Sequence, residues 1–254
     1  MTITELWLVR HGESVGNLRA SHAEREGLET IDLEDRDADV PLSEVGEEQA
    51  RALGAWLSEH HPAHVWVSPY VRARQTLQLA ADDAGVAVSP RQDERLRDRE
   101  LGILDLLTRD GVERRHPEEA ARRRRQGKFL HRPPGGESWA DVALRLRSFV
   151  RDALGSAPAD VRADADQQPS PGTGTGLIVA HDAVVMLLLY VLLGCTEKEL
   201  MEYAAAHTVL NASVTTLVRD GDEWMLRSFS DVSHLQREGA DVTAHPGSPD
   251  VQPA

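Results

Sequence analysis

The stretch Leu6-Trp7-Leu8-Val9-Arg10-His11-Gly12-Glu13-Ser14 decides how the rest of this chain is interpreted. Its first four residues are large or branched apolar residues and predict a buried β-strand. The strand therefore ends on Arg10 and His11, and open α/β sheets bind ligands at the carboxyl ends of their strands. Gly12 allows the backbone to turn and to approach a neighbour closely. A histidine beside an arginine can serve a metal ion, an acid–base step or a phosphoryl group, and this stretch alone leaves all three open.

Two further strand ends are predicted to reach the same edge of the sheet. The run Leu177-Ile178-Val179-Ala180 ends at His181, and Val65-Trp66-Val67 leads into Ser68-Pro69 and a helix that carries Arg72. Parallel strands of an α/β fold bring such ends together. The result would be two histidines and two arginines around a helix N-terminus, which suits the binding of a phosphoryl group.

The remaining pattern predicts a single domain over residues 1–236. Residues 155–176 are rich in small and polar residues, and we expect them to form a flexible insertion in this domain. Residues 237–254 are expected to be a disordered tail. Periodicity and turn chemistry predict helices over 43–57, 68–81, 117–126, 138–150 and 183–193, a strand over 85–88, and an antiparallel hairpin over 211–229.

The composition excludes several classes of function. The net charge of −14 argues against binding to nucleic acid or to an anionic membrane surface. The one cysteine, Cys195, excludes an internal disulfide and a cysteine-based zinc site. The longest apolar run, 183–193, is too short to cross a bilayer, and the N-terminus has no pattern of a signal peptide. We therefore expect a cytoplasmic protein, and the sequence leaves its oligomeric state open.

Five segments together resemble the histidine phosphatase, or phosphoglycerate mutase-like, superfamily. The first is the Arg-His-Gly motif within Leu8 to Ser14, and the second is Ser68-Pro69-x-x-Arg72-Ala73-x-Gln75-Thr76. The third motif is Ala180-His181. The segment with the proton donor is similar to Leu96-x-Asp98-x-x-x-Gly102, and a further segment is similar to Leu42-Ser43-x-x-Gly46-x-x-Gln49-Ala50. The resemblance implies a three-layer α/β sandwich: a mostly parallel sheet with helices on both faces.

The same resemblance implies the chemistry of the site. His11 would attack phosphorus and carry a phosphohistidine intermediate, as nucleophilic catalysis by histidine requires. Positively charged and neutral donors would hold the phosphoryl oxygens and stabilise the transition state. The residues expected to bind the phosphoryl group in this way are Arg10, Ser14, Asn17, Arg72 and His181.

Asp98 is the expected proton donor to the leaving group, and Glu94 is the second choice. The resemblance implies neither a metal ion nor a cofactor. One departure concerns Asp182, which stands where the family commonly has glycine after its second histidine. Asp182 is expected either to cap the helix that follows or to orient His181 and raise its pKa.

Other departures favour hydrolysis of a small phosphorylated substrate over mutase action. The residues between Asn17 and Leu42 and those over 99–135 are unlike the corresponding segments of phosphoglycerate mutases, whereas Phe129 to Ser138 is closer to phosphatase branches, including broad-range acid phosphatases of fungi and plants. A cofactor-primed phosphoglycerate mutase remains an alternative. A third possibility is a catalytically weak module that binds phosphate or a phosphoprotein.

Overall fold

A six-stranded sheet forms the centre of the molecule in the computed structural model, which describes residues 3–154 and 174–245. The strands are β1 (Glu5–Arg10), β2 (His64–Val67), β3 (Arg91–Gln92), β4 (Thr175–Ala180), β5 (Val214–Asp220) and β6 (Glu223–Asp231). Their order across the sheet is β3-β2-β4-β1-β5-β6. The first four run parallel, whereas β5 is antiparallel to both β1 and β6. The α/β class, the mostly parallel sheet and the C-terminal hairpin are therefore confirmed.

Helices cover both faces of this sheet, as the alternation of side chains along β1 requires. The helices are α1 (Val15–Arg25), α2 (Glu44–Glu59), α3 (Val71–Ala84), α4 (Arg109–Arg115), α5 (Pro117–Leu130), α6 (Trp139–Ala153), α7 (Asp182–Leu193), α8 (Glu197–Ala206) and α9 (Ser233–Glu238). Leu6 and Leu8 of β1 pack in one apolar layer with α6 and α7. Trp7 and Val9 point to the other face and pack with α2 and α3. The fold is a three-layer sandwich.

The register of the central strands sets the position of the site. Arg10 lies opposite Ala180 in the parallel pair of β1 and β4, and Val67 lies opposite Val179 in the pair of β2 and β4. The residues that follow these strand ends therefore meet at one edge of the sheet. This is the edge at which the sequence predicts His11, His181 and the segment before α3.

Helices α2 and α6 begin at the capping residues that the sequence indicates. The Ser43 side chain accepts from the Gly46 N–H at the start of α2, and the Ser138 side chain accepts from the Asp141 N–H at the start of α6. Such caps satisfy backbone donors that have no partner within the helix. Helix α7 is buried and the most apolar of the helices, but no helix in the described ranges is long and apolar enough to cross a membrane.

The predicted third strand over residues 85–88 is wrong. Gly85 ends α3 in the left-handed conformation, and the Val86 N–H donates back to the Ala81 carbonyl, so these residues close the helix. The alternating Val86 and Val88 still pack against the apolar layer beneath them, which explains the strand-like pattern. The strand itself is β3, which comes later in the chain.

The expected insertion and tail differ in how far the structure describes them. Residues 155–173 of the insertion lie outside the described residues, and residues 175 and 176 belong to β4. The prediction of a disordered tail from residue 237 onward is wrong for residues 237–245. These residues complete α9 and then form side-chain and backbone hydrogen bonds with the sheet edge, for example from the Asn211 N–H to the Thr243 carbonyl. Residues 246–254 lie outside the described residues.

Candidate active site

His11 is buried directly after β1. One of its ring nitrogens donates a hydrogen bond to a backbone carbonyl, and the other accepts a hydrogen bond from Arg72. Its Nδ1 is 2.6 Å from the Gly12 carbonyl oxygen, so Nδ1 carries the proton and donates it. The Arg72 Nε–H donates to His11 Nε2 at 3.2 Å, as expected for a nitrogen with a free lone pair. Burial, followed by the positive charge of Arg72, holds the pKa of His11 well below its usual range. His11 is therefore a neutral imidazole at pH 7 with a nucleophilic Nε2.

His181 follows β4 and faces the same space. Its ring lies 5.1 Å from the His11 ring, centroid to centroid, and its Nε2 lies 2.8 Å from the Ser68 hydroxyl. His181 Nδ1 is buried without a hydrogen-bond partner and lies 3.4 Å from a carboxylate oxygen of Asp98. Burial and the charge of Arg72 lower the pKa of His181 well below its usual range. A neutral His181 can present an N–H to an incoming anionic oxygen.

Arg72 joins these groups from the first turn of α3. Its side chain is only 5% exposed, and its guanidinium contacts Asp98 at 3.2 Å and Asp37 at 2.9 Å as well as His11. Burial alone would lower the pKa of Arg72, but the two carboxylates outweigh that effect and raise it. The ring of Tyr70 lies 4.9 Å from the guanidinium carbon. Arg72 is thus a fixed cation whose three guanidinium nitrogens donate to His11, Asp37 and Asp98.

Arg10 is held by the backbone rather than by a carboxylate. Its guanidinium donates to the carbonyl oxygens of Val209 and His245, and its Nε is buried without a hydrogen-bond partner. Burial lowers the pKa of Arg10, and the negative charge of Asp182 partly offsets this effect. Arg10 therefore brings a desolvated positive charge to the carboxyl end of β1, beside His11.

Asp98 is the carboxylate that the structure places against both Arg72 and His181. Its backbone carbonyl accepts from Arg145 Nη2 at 3.0 Å, and the same arginine also binds Glu137. Glu94, the second choice for the proton donor, is exposed on a short 3₁₀ helix, Glu94–Leu96, and within the described residues its side chain forms no hydrogen bond or ion pair with Arg72 or His181. The geometry favours Asp98 over Glu94.

Ser14 and Asn17 form the N-terminal cap of α1. The Ser14 hydroxyl accepts from the Asn17 N–H, and the Asn17 amide oxygen accepts from the Ser14 N–H, both at 3.1 Å. This reciprocal pair is a capping box. Asn211 Nδ2 also donates to the Asn17 amide oxygen at 3.4 Å and to the His11 carbonyl at 3.1 Å. The two residues border His11, and their expected contact with a phosphoryl group stays a prediction.

Asp182 is the first residue of α7, and the residue in the N-cap position is His181. The expected cap by Asp182 is therefore wrong by one position, because the helix begins directly after the histidine. The expected rise in the pKa of His181 is also wrong, since that pKa is lowered. The charge of Asp182 acts instead on Arg10, where it raises the pKa.

Comparison with known proteins identifies the family to which this geometry belongs. The model of the histidine phosphatase superfamily (branch 1) matches residues 6–232. The chain belongs to this superfamily. It is 28% identical over 242 residues to a probable phosphoglycerate mutase GpmB of Yersinia enterocolitica, covering 93% of this chain and 97% of that protein. It is also 28% identical over 200 residues to fructose-2,6-bisphosphatase TIGAR B of Danio rerio, covering 72% of each chain.

A solved structure of a histidine phosphatase-like fold gives the same architecture. A mycobacterial glucosyl-3-phosphoglycerate phosphatase in complex with inorganic phosphate superimposes with a TM-score of 0.67 and 25% identity, over 91% of this chain and 99% of that one. The relatives of this superfamily member are thus named both as mutases and as phosphatases. The resemblance inferred from the sequence motifs is confirmed at the level of the superfamily.

Sequence reasoning missed three parts of the site of this histidine phosphatase superfamily member: Asp37, Tyr70 and the segment after α9. Asp37 lies on a short 3₁₀ helix, Asp37–Asp39, inside a polar stretch without periodicity, so no pattern marks it as a partner of Arg72. Tyr70 occupies a position of the second motif that the motif leaves unspecified. Its hydroxyl donates to Glu100 at 3.0 Å, and burial together with the charge of Glu100 raises the pKa of Tyr70.

The third missed part is the segment after α9, which crosses the edge of the site. His245 Nε2 lies 2.6 Å from a carboxylate oxygen of Glu13, and His245 Nδ1 lies 2.6 Å from the Ser21 hydroxyl. Gln49 Nε2 holds the same segment by donating to the Asp241 carbonyl at 2.8 Å. The segment thereby supplies the backbone carbonyl of residue 245 that receives Arg10.

Proposed function

We propose that the protein is a phosphatase that hydrolyses phosphomonoesters of small molecules through a phosphohistidine intermediate on His11. The observation that carries the proposal is the neutral His11, whose Nε2 lone pair faces Arg72 beside His181 and Asp98. A nucleophile, a cationic clamp and a carboxylic acid within contact of one another are the parts that phosphoryl transfer needs.

The first step forms a bond between His11 Nε2 and phosphorus and breaks the bond between phosphorus and the ester oxygen. Arg10, Arg72 and the N–H of His181 stabilise the negative charge on the phosphoryl oxygens. Asp98, in its protonated form, gives its proton to the departing alkoxide. The alcohol leaves, and the phosphoryl group stays on His11.

The second step returns the enzyme to its starting state. Water attacks the phosphohistidine, and the Asp98 carboxylate takes the proton from this water. The bond between nitrogen and phosphorus breaks, and inorganic phosphate is released. The proposal assigns no step to a metal ion or a cofactor, so activity should persist in the presence of a chelator.

The test is a panel of phosphomonoesters in chelator with the wild type, His11→Ala and His61→Ala. His61 is exposed and serves as the matched histidine control. We expect phosphate release from the wild type and from His61→Ala, and none from His11→Ala. Radiolabelled phosphate should remain on the wild-type protein after an alkaline quench, because phosphohistidine survives base, and it should be absent from His11→Ala.

Two results would redirect the assignment. Conversion of 3-phosphoglycerate to 2-phosphoglycerate without release of phosphate would establish a mutase, as the name of the Yersinia relative suggests. Tight binding of phosphate without turnover of any ester would establish a phosphate-binding module.

A further inference from the structure

The solvent side of Arg72 is a face of the site that carries several acidic side chains. Asp37 and Asp98 both contact the guanidinium of Arg72, and their side chains are 41% and 28% exposed, whereas that of Arg72 is 5% exposed. The two carboxylates therefore lie between Arg72 and solvent. A substrate whose phosphoryl group reaches Arg72 must place its alcohol part next to them.

Further acidic groups extend this face. Glu100 accepts the hydrogen bond of Tyr70, whose ring borders both Arg72 and His181. Asp105 lies near enough to Asp37 to act on it: burial raises the pKa of Asp37, the charge of Arg72 opposes that rise, and the charges of Asp98 and Asp105 add to it. Even when Asp98 holds the proton for the leaving group, Asp37, Glu100 and Asp105 make the face acidic before a dianionic phosphoryl group enters.

The cations that surround this face are already engaged with other acids or with the backbone. Arg97 and Arg145 both contact Glu137, at 2.6 and 3.0 Å. Arg36, next to Asp37, contacts Asp39 instead. A carboxylate or second phosphate on the alcohol part would therefore meet like charges before it met a cation.

One buried polar atom lies against this face. His181 Nδ1 has no hydrogen-bond partner, although the side chain is completely buried, and it lies 3.4 Å from a carboxylate oxygen of Asp98. A buried polar atom without a partner is costly and is usually satisfied by a ligand or a water molecule. The acidic face thus borders the position that a phosphoryl oxygen would take.

We propose that Asp37 determines specificity by charge: the protein prefers phosphomonoesters whose alcohol part is neutral or cationic and rejects those that carry a carboxylate or a second phosphate. The inference rests on the proposed phosphatase function and narrows its substrate class. One unit charge about 7 Å from another, at an effective dielectric constant of about 20 to 40, changes a binding or rate constant by about tenfold or more. Discrimination of that size is within reach of standard kinetics.

The test compares two substrates that differ in one group. Glycerol 3-phosphate and 3-phosphoglycerate share a three-carbon skeleton, and only the second carries a carboxylate. We expect the wild type to favour glycerol 3-phosphate by about tenfold or more in kcat/KM, and Asp37→Asn to reduce this ratio by about tenfold. Asp39→Asn is the matched control on the same 3₁₀ helix, and it should leave the ratio unchanged.

Loss of the contact between Asp37 and Arg72 can also change how the phosphoryl group binds. That change acts on both substrates, so it cancels in the ratio of their kcat/KM values. Equal or better use of 3-phosphoglycerate by the wild type would overturn the inference, and so would an unchanged ratio in Asp37→Asn. Calorimetric binding of both compounds to His11→Ala separates the two proposals. If the wild type turns over neither compound but His11→Ala still binds glycerol 3-phosphate more tightly than 3-phosphoglycerate, only the proposed function fails. If both bind equally, the charge selection fails.

Discussion

Removal of the acidic proton of Asp98 should slow the enzyme in a way that depends on the leaving group. Asp98→Asn keeps an oxygen that can accept from Arg72, now 3.2 Å away, and it keeps the side-chain volume next to His181. It removes the group that protonates the leaving alkoxide, and with it the negative charge beside Arg72. The effect of that charge acts on every substrate, so the difference between two leaving groups isolates general acid catalysis.

The magnitude follows from the usual contribution of a positioned acid. A general acid contributes about 10²- to 10⁴-fold, or about 3 to 5 kcal/mol of the activation free energy. We expect a loss of that size in kcat/KM for an alkyl phosphate such as glycerol 3-phosphate. For p-nitrophenyl phosphate the loss should be less than about tenfold, because nitrophenolate leaves without a proton.

The assay measures both substrates with the wild type, Asp98→Asn and Glu94→Gln. Glu94 is an exposed acidic residue and the second candidate for the donor from the sequence, so its variant is the matched control and should behave as the wild type. An equal loss for both substrates in Asp98→Asn would refute the role of Asp98 as the acid. A loss confined to the alkyl phosphate in Glu94→Gln would transfer that role to Glu94.

Two further predictions concern stability. The pKa values of His11 and His181 are lowered in the folded state, so below about pH 6.5 the unfolded chain binds more protons than the folded one. The free energy of unfolding therefore falls as pH falls, by up to about 1.4 kcal/mol per pH unit for each histidine. Urea unfolding between about pH 7.5 and 5.5 should show this, with a shallower slope in His181→Asn, and stability that rises toward acid would contradict it. Gly46→Ala places a Cβ 1.9 Å from the Glu13 carbonyl oxygen and should lower the melting temperature and the activity together. Gly16→Ala, whose Cβ would meet nothing closer than 3.4 Å, is the helical control and should leave both nearly unchanged, and equal effects of the two variants would contradict the clash.

The core of the site could be predicted because it depends on strand ends. A buried apolar run marks each strand, and the parallel register then brings the next residues together, as it does for His11 and His181. The same logic placed Arg72 on the helix after β2. The strand over residues 85–88 failed because a two-residue apolar alternation fits the end of a helix as well as it fits a strand.

The groups around that core could not be predicted, for a different reason. Asp37 reaches Arg72 from a polar segment whose path depends on tertiary contacts, and its sequence carries no periodicity. The partners of Arg10 are the backbone carbonyls of residues 209 and 245, and a carbonyl oxygen is present at every position of the chain. Side-chain patterns in the sequence therefore cannot predict this part of the site.

The hydrogen bond between Arg10 and residue 245 also orders events during synthesis of the protein. Arg10 leaves the ribosome 235 residues before its partner carbonyl at residue 245. Until residue 245 is made, the emerging chain holds His11 and the first motif but lacks the segment that fixes Arg10 and Glu13. The proposed phosphate clamp is thus unfinished until then, and the site becomes complete only when these two distant segments join.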